Sequence, residues 1–260
     1  MQFSQLMKNI ECSEGNVALE LSPEWMQGRA VFGGLQTVIA LRAMRTLVTD
    51  IPVRSLQTTF IAPPSTRNVT AKATILRRGK SATHVEARLM EGENLLALVV
   101  GVFGAARPSE VVRHLEMAPV ECETPKTFRY FPGKSPTFTQ HFSVKWLQGG
   151  MPFSGKQEPL VIVDVAMPGE TESSEYHAVA VADFIPPVGL SYLKTPVPGS
   201  SMTWMLEFLC DDLDGLPMEG WRVDAELVAA ADGYTNQSVM IWGPGGKPIA
   251  LSRQTMVVFG

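Results

Sequence analysis

The feature that most constrains this chain is an internal repeat. From Gly33 the sequence runs Gly-Gly-Leu-Gln-Thr-Val-Ile-Ala-Leu-Arg-Ala-Met-Arg, and between Gly33 and Thr49 only Arg42 and Arg45 are charged. Apolar residues on nearly every face predict a helix buried on most sides, opened by a Gly-Gly turn. A strand-like run follows at Leu56–Ala62 and stops at Pro63-Pro64. Three more runs, 68–77, 82–90 and 95–103, are separated by turns at Gly79 and at Glu91-Gly92-Glu93-Asn94, which predicts an antiparallel meander.

The second half repeats this order. Residues 176–185 read as a nearly all-apolar helix, with Pro186-Pro187 kinking or ending it. Strands are predicted at 202–210, 221–231, 235–242 and 249–259, with turns at Gly233 and at the Gly-Pro-Gly-Gly-Lys-Pro segment from Gly243. Gly79 lies 24 residues before Phe103, and Gly233 lies 26 before Phe259. Two units that each fold a helix onto a curled antiparallel sheet make an α+β protein. Residues 107–138 hold Pro108, Pro119, Pro125, Pro132 and Pro136. They are predicted to link an N-terminal unit, 1–106, to a C-terminal unit, 139–260.

Composition narrows the function classes. The net charge is −4 and no run of five basic residues occurs, so nucleic acid is not an expected partner. No apolar run approaches the roughly 20 residues that span a bilayer, and the start lacks an apolar core behind a basic segment. Cys12, Cys122 and Cys210 are odd in number and far apart, which predicts reduced thiols and a cytoplasmic location. A homo-oligomer is allowed but not required.

Several motifs are incomplete. Gly79-Lys80-Ser81 ends like a phosphate loop, but Thr74 stands where the first glycine belongs. No Gly-x-Ser-x-Gly elbow occurs. His84, His114, His141 and His177 show no ligand spacing, so neither a metal site nor an activated Ser–His pair is expected, and no cofactor is called for.

Asp183 is the most informative residue, a single carboxylate in Ala-Val-Ala-Val-Ala-Asp-Phe-Ile. Burying an ionised acid costs several kcal/mol unless it finds donors or a wet pocket. Either it points to solvent or caps a neighbouring segment, or it belongs to a site. Strand alternation puts Ser252, Gln254 and Met256 on one face and Arg253, Thr255 and Val257 on the other. Gly33 and Gly34 allow close backbone approach, and the free N–H groups of a helix start suit a developing oxyanion or a phosphate. They serve equally well as a tight strand-to-helix turn. Arg77, Arg78 and Lys80 flank the first hairpin turn, where a phosphate-bearing ligand or plain solvent fits them.

Val31-Phe-Gly-Gly34, Leu76-Arg-Arg-Gly-Lys-Ser81, Ala182-Asp183 with Pro187, and Ser252-x-Gln254 together resemble the TesB-like acyl-CoA thioesterases, in the right order from about residue 10 to 260. The resemblance implies a double hotdog, two fused units whose sheets each wrap a long helix. It implies hydrolysis of acyl-CoA to free acid and coenzyme A, with a water held and activated by Asp183, Gln254 and a hydroxyl. Aligning Trp204–Phe208 on the family's strand assigns that hydroxyl to Ser201, with Thr203, two residues on and expected on the same face, as the other candidate. A hotdog hydratase pairs its Asp with a nearby His, and none follows Asp183. A non-catalytic acyl-ligand binder on the same fold is the remaining alternative.

Overall fold

The computed structural model describes residues 1–64 and 67–259. A short helix α1 (Phe3–Lys8), a hairpin of β1 (Glu11–Ser13) and β2 (Asn16–Glu20), and a ribbon of β3 (Met26–Gln27) and β4 (Ala30–Val31) lead into α2 (Gly33–Arg45). Then come β5 (Val53–Phe60), β6 (Asn68–Arg78), β7 (Ala82–Glu91) and β8 (Asn94–Gly104). The second half holds β9 (Lys126–Phe128), β10 (Ser143–Gln148), β11 (Leu160–Ala166), α3 (Glu175–Ala182), β12 (Gly199–Phe208), β13 (Trp221–Ala231), β14 (Tyr234–Gly243) and β15 (Lys247–Val258).

All eight strands expected after the two helices form, in the expected order. What the sequence reading did not include is a hairpin before each helix, so the true repeat unit begins earlier. All strands except β3 and β4 join one sheet, in the order β1-β2-β6-β7-β8-β5-β12-β15-β14-β13-β11-β10-β9. Every neighbouring pair is antiparallel. The halves meet where β5 pairs with β12, Leu56 opposite Leu206, and this pairing relates the two units by a pseudo-two-fold. Among the described residues no helix is long and apolar enough to cross a membrane.

The sheet curls around the two helices, and α2 is buried on almost every face from Gly33 to Met44. Leu35, Ile39, Leu41 and Met44 are fully enclosed, each worth about 1.5–3 kcal/mol of burial. The second helix departs from expectation. It has only eight residues, and Asp183 is its C-cap rather than a member of its interior. The residue before a proline is disfavoured in the helical region, so Pro186 prevents α3 from running on through Ile185.

The helices lie side by side and antiparallel, tied at both ends. Arg45, in the last turn of α2, makes a two-pronged ion pair with Glu175, in the first turn of α3, at 2.7 and 2.6 Å. Each charge complements its own helix dipole. At the other end Asp183 meets the start of α2. Between the units, residues 126–128 add an edge strand to β10, and Phe138 stacks on Phe32 with ring centres 4.2 Å apart.

Candidate active site

The site forms where the C-terminal end of α3 faces the N-terminal end of α2. Phe32, the N-cap of α2, offers no side-chain acceptor, and the carboxylate of Asp183 takes that role from the other half of the molecule, accepting the Gly34 N–H. Both glycines are dictated by this approach. A Cβ on Gly33 would lie 2.7 Å from Asp183 Oδ2, and one on Gly34 would lie 2.7 Å from the Phe32 ring and 3.2 Å from Asp183 Cβ. Gly33→Ala is therefore expected to push the carboxylate off its partners and cut kcat by about 10–100-fold, the usual penalty for displacing a reacting group by around 1 Å. Comparing steady-state kcat for the variant and wild type checks this.

β15 delivers Gln254 as the alternation predicts, with Ser252, Gln254 and Met256 inward. Its Nε2 donates to Asp183 Oδ1 at 2.9 Å and to Ser201 Oγ at 2.8 Å. Asp183, Ser201 and Gln254 are thus brought together from α3, β12 and β15. Thr203 is not. The register of β12 against β15 shifts between Ser201, opposite Met256, and Thr203, opposite Thr255. This bulge inserts one residue and reverses the alternation. Ser201 consequently shares a face with buried Trp204, while exposed Thr203 lines an outer groove with Gln57, Arg253 and Thr255. The expected same-face relation of Ser201 and Thr203 is overturned by that bulge.

One member of the network was missed. Gln237 of β14, only 1% exposed, donates from Nε2 to Gln254 Oε1 at 3.3 Å and accepts the Val188 N–H at 3.0 Å. A polar residue on the inward face of a strand, in register with Gln254, is the signal that could have found it.

Burial raises the Asp183 pKa to about 7, outweighing the Gln254 and Gly34 hydrogen bonds that lower it. The charges on the surrounding elements point elsewhere. Arg42 and Arg45 sit at the far end of α2, Glu175 and His177 at the far end of α3, and Glu207 and Arg253 on the exposed faces of β12 and β15. A carboxylate that titrates near neutrality, held by the Gln254 amide and the Gly34 N–H, suits general-base chemistry.

Ser174 and His177 do meet, as the capping box of α3: Ser174 Oγ lies 2.9 Å from His177 Nδ1, and His177 Nε2 lies 3.4 Å from Glu170. The Ser174 backbone N–H donates to the same Nδ1 at 3.1 Å, and Glu170 accepts the Ser4 N–H at 3.0 Å. The grouping closes the start of α3 and pins the N-terminal segment to it. Gly79-Lys80-Ser81 is a hairpin turn between β6 and β7, as expected, and Arg78 donates to the Leu47 carbonyl at 3.1 Å. Among the described residues no group of His, Cys, Asp or Glu could hold a metal ion.

The fold and this cross-unit site define the class, a double hotdog protein. A hot dog fold protein of unknown function from Alicyclobacillus acidocaldarius superposes with a TM-score of 0.89 at 18% identity, over 100% of this chain and 99% of that one. The Mycobacterium avium subs paratuberculosis tesB protein gives 0.79 at 12% identity over 100% of both chains. The acyl-CoA thioesterase II TesB2 of Mycobacterium marinum gives 0.74 at 13%, over 98% of this chain and 97% of that one. No curated protein is significantly similar in sequence. The model of the acyl-CoA thioesterase N-terminal domain matches residues 21–104, and that of the C-terminal domain matches residues 119–258. The chain belongs to the acyl-CoA thioesterase family, and its reaction is hydrolysis of a thioester.

Proposed function

We propose that Asp183, Ser201 and Gln254 carry out acyl-CoA hydrolysis at one site per chain. The observation that supports this most is the Gln254 amide donating to both Asp183 and Ser201 from a fixed position. Water sits among the three and attacks the thioester carbonyl carbon as ionised Asp183 takes its proton. The carbonyl oxygen becomes an oxyanion facing the start of α2, whose first N–H groups have no partner inside the helix. Gly33 is the donor assigned to it. The tetrahedral adduct collapses, the carbon–sulfur bond breaks, and the coenzyme A thiolate leaves with the proton held on Asp183. No covalent acyl-enzyme is required.

The pseudo-two-fold explains why one site suffices. Leu206 faces Ser252, two residues before Gln254, and its mate Leu56 faces Gly101, two residues before Phe103. The first half therefore has a buried phenylalanine where the second has its amide, and α2 contains no carboxylate. The three free thiols favour a reducing compartment, and we place the enzyme in the cytoplasm, acting in fatty acid metabolism.

The test is a panel of acyl-CoA substrates assayed with a thiol reagent for released coenzyme A across pH 5–9, with and without a chelator. Because the base must be ionised, kcat/KM should rise tenfold per unit at low pH and level off above about 7, the value to which burial lifts Asp183. A profile flat through that range, or activity lost to chelation and restored by zinc, would contradict the assignment.

A further inference from the structure

We propose that Gln237 is a positioning residue for this reaction, fixing which end of the Gln254 amide faces the water site. The inference rests on the reading of Asp183, Ser201 and Gln254 given above. A glutamine side chain can turn over with almost no change in shape, exchanging its donor and acceptor ends. The site itself does not decide between them. A Ser201 hydroxyl donates or accepts, and a carboxyl group accepts when ionised and donates when protonated.

The decision is made farther back. Val188 opens a short helical turn, Val188–Tyr192, so its N–H has no partner within that turn. It follows Pro186-Pro187, the pair that ends the Asp183 segment. A backbone N–H can only donate, so the Gln237 group 3.0 Å from it must be the oxygen, Oε1. The Gln237 amino group is then turned toward Gln254 and donates to its Oε1 at 3.3 Å. Gln254 is left with its amino group toward Asp183 and Ser201, where it donates at 2.9 and 2.8 Å. Each step of this relay follows from the one before. Both amides are enclosed, Gln237 at 1% and Gln254 at 6% exposure, so water does not scramble the order.

The polarity matters chemically. An amino group toward Asp183 favours its ionised form, and by donating its second hydrogen to Ser201 Oγ it frees the Ser201 hydroxyl hydrogen for the water. A reversed amide would place an oxygen against the carboxylate and favour the protonated, inactive form. Gln237 touches neither substrate nor water in this arrangement and acts only through Gln254.

A double-mutant cycle tests this. Gln237→Met keeps the length and apolar bulk of the side chain and removes both hydrogen bonds. It should lower kcat by about 10–100-fold, as loss of a preorganised polar contact does, with KM within about threefold. Placed in Gln254→Ala, the same change should cost less than about threefold more, because the residue it positions is gone. Full kcat in Gln237→Met, or losses that multiply in the double variant, would overturn the inference. If Gln254→Ala alone keeps wild-type turnover, the site assignment fails instead, which separates the two readings. Should Gln237→Met not fold, nitrogen-15 spectra of the wild-type protein supply the answer. The side-chain amide protons of Gln254 and Gln237 should shift together at a single midpoint as Asp183 titrates, and a Gln237 signal that ignores the titration would overturn the relay.

Discussion

Asp183→Asn should lose at least about a thousandfold in turnover and, at pH 8, become harder to unfold. The first effect follows from removing the proposed base while keeping size and most hydrogen bonding, with residual rate from binding and oxyanion contacts alone. The second follows from linkage. The Asp183 pKa in the folded chain is raised to about 7 by burial, against 3.8 for an unperturbed group. Between those values the native state holds a proton that the unfolded chain has released, so stability falls as pH rises across the window, and above about 7 the whole penalty is present. A neutral asparagine escapes it. The residue keeps some exposure, so the full 1.36 kcal/mol per unit is discounted to a gain of about 1–3 kcal/mol, or a rise of about 3–8 °C in Tm. At pH 4 the two proteins should melt together. Thermal denaturation at both pH values checks the pair, and equal Tm at pH 8 would show that Asp183 carries no burial penalty.

The next largest effects separate the two hydroxyls. Gln254→Ala and Ser201→Ala should each lower kcat by about 10–1,000-fold, since each removes one of the groups proposed to hold the water. Thr203→Ala should leave kcat within about twofold, because Thr203 is exposed on the outer face. The bulge between Ser201 and Thr203 is responsible for this contrast. Circular dichroism confirms that each variant is folded before rates are compared. A damaged Thr203→Ala beside a silent Ser201→Ala would mean that the strand presents its other face to substrate.

How legible this was in the sequence depends on the physics at each position. The meanders β6–β8 and β13–β15 were readable because long antiparallel strands between glycine turns repeat a period of two. The same period correctly grouped Gln254 with Ser252 and Met256 on one face, without saying which face turns inward. At Ser201 and Thr203 it failed, because a bulge adds a residue without leaving a compositional mark. The length of α3 was overestimated because apolar residues continue past Asp183, and only Pro186-Pro187 hinted at the stop. The contact between Asp183 and Gly34 joins positions 149 residues apart, so no local pattern could show it. The glycines were noticed for their conformational freedom, whereas their reason is the carboxylate that would otherwise strike a Cβ. Gln237 escaped notice because a glutamine on a strand is ordinarily exposed, and only the pairing with Gln254 reveals its burial.

The central claim, that Asp183 activates water rather than attacking the thioester itself, is tested most directly by a single turnover in heavy-oxygen water with enzyme in excess over acyl-CoA. The product acid should carry one heavy oxygen from the first turnover, and Asp183 should carry none when its peptide is weighed. An unlabelled first product, with the heavy oxygen found in the Asp183 carboxylate, would contradict the account by showing an acyl-aspartyl anhydride on the path.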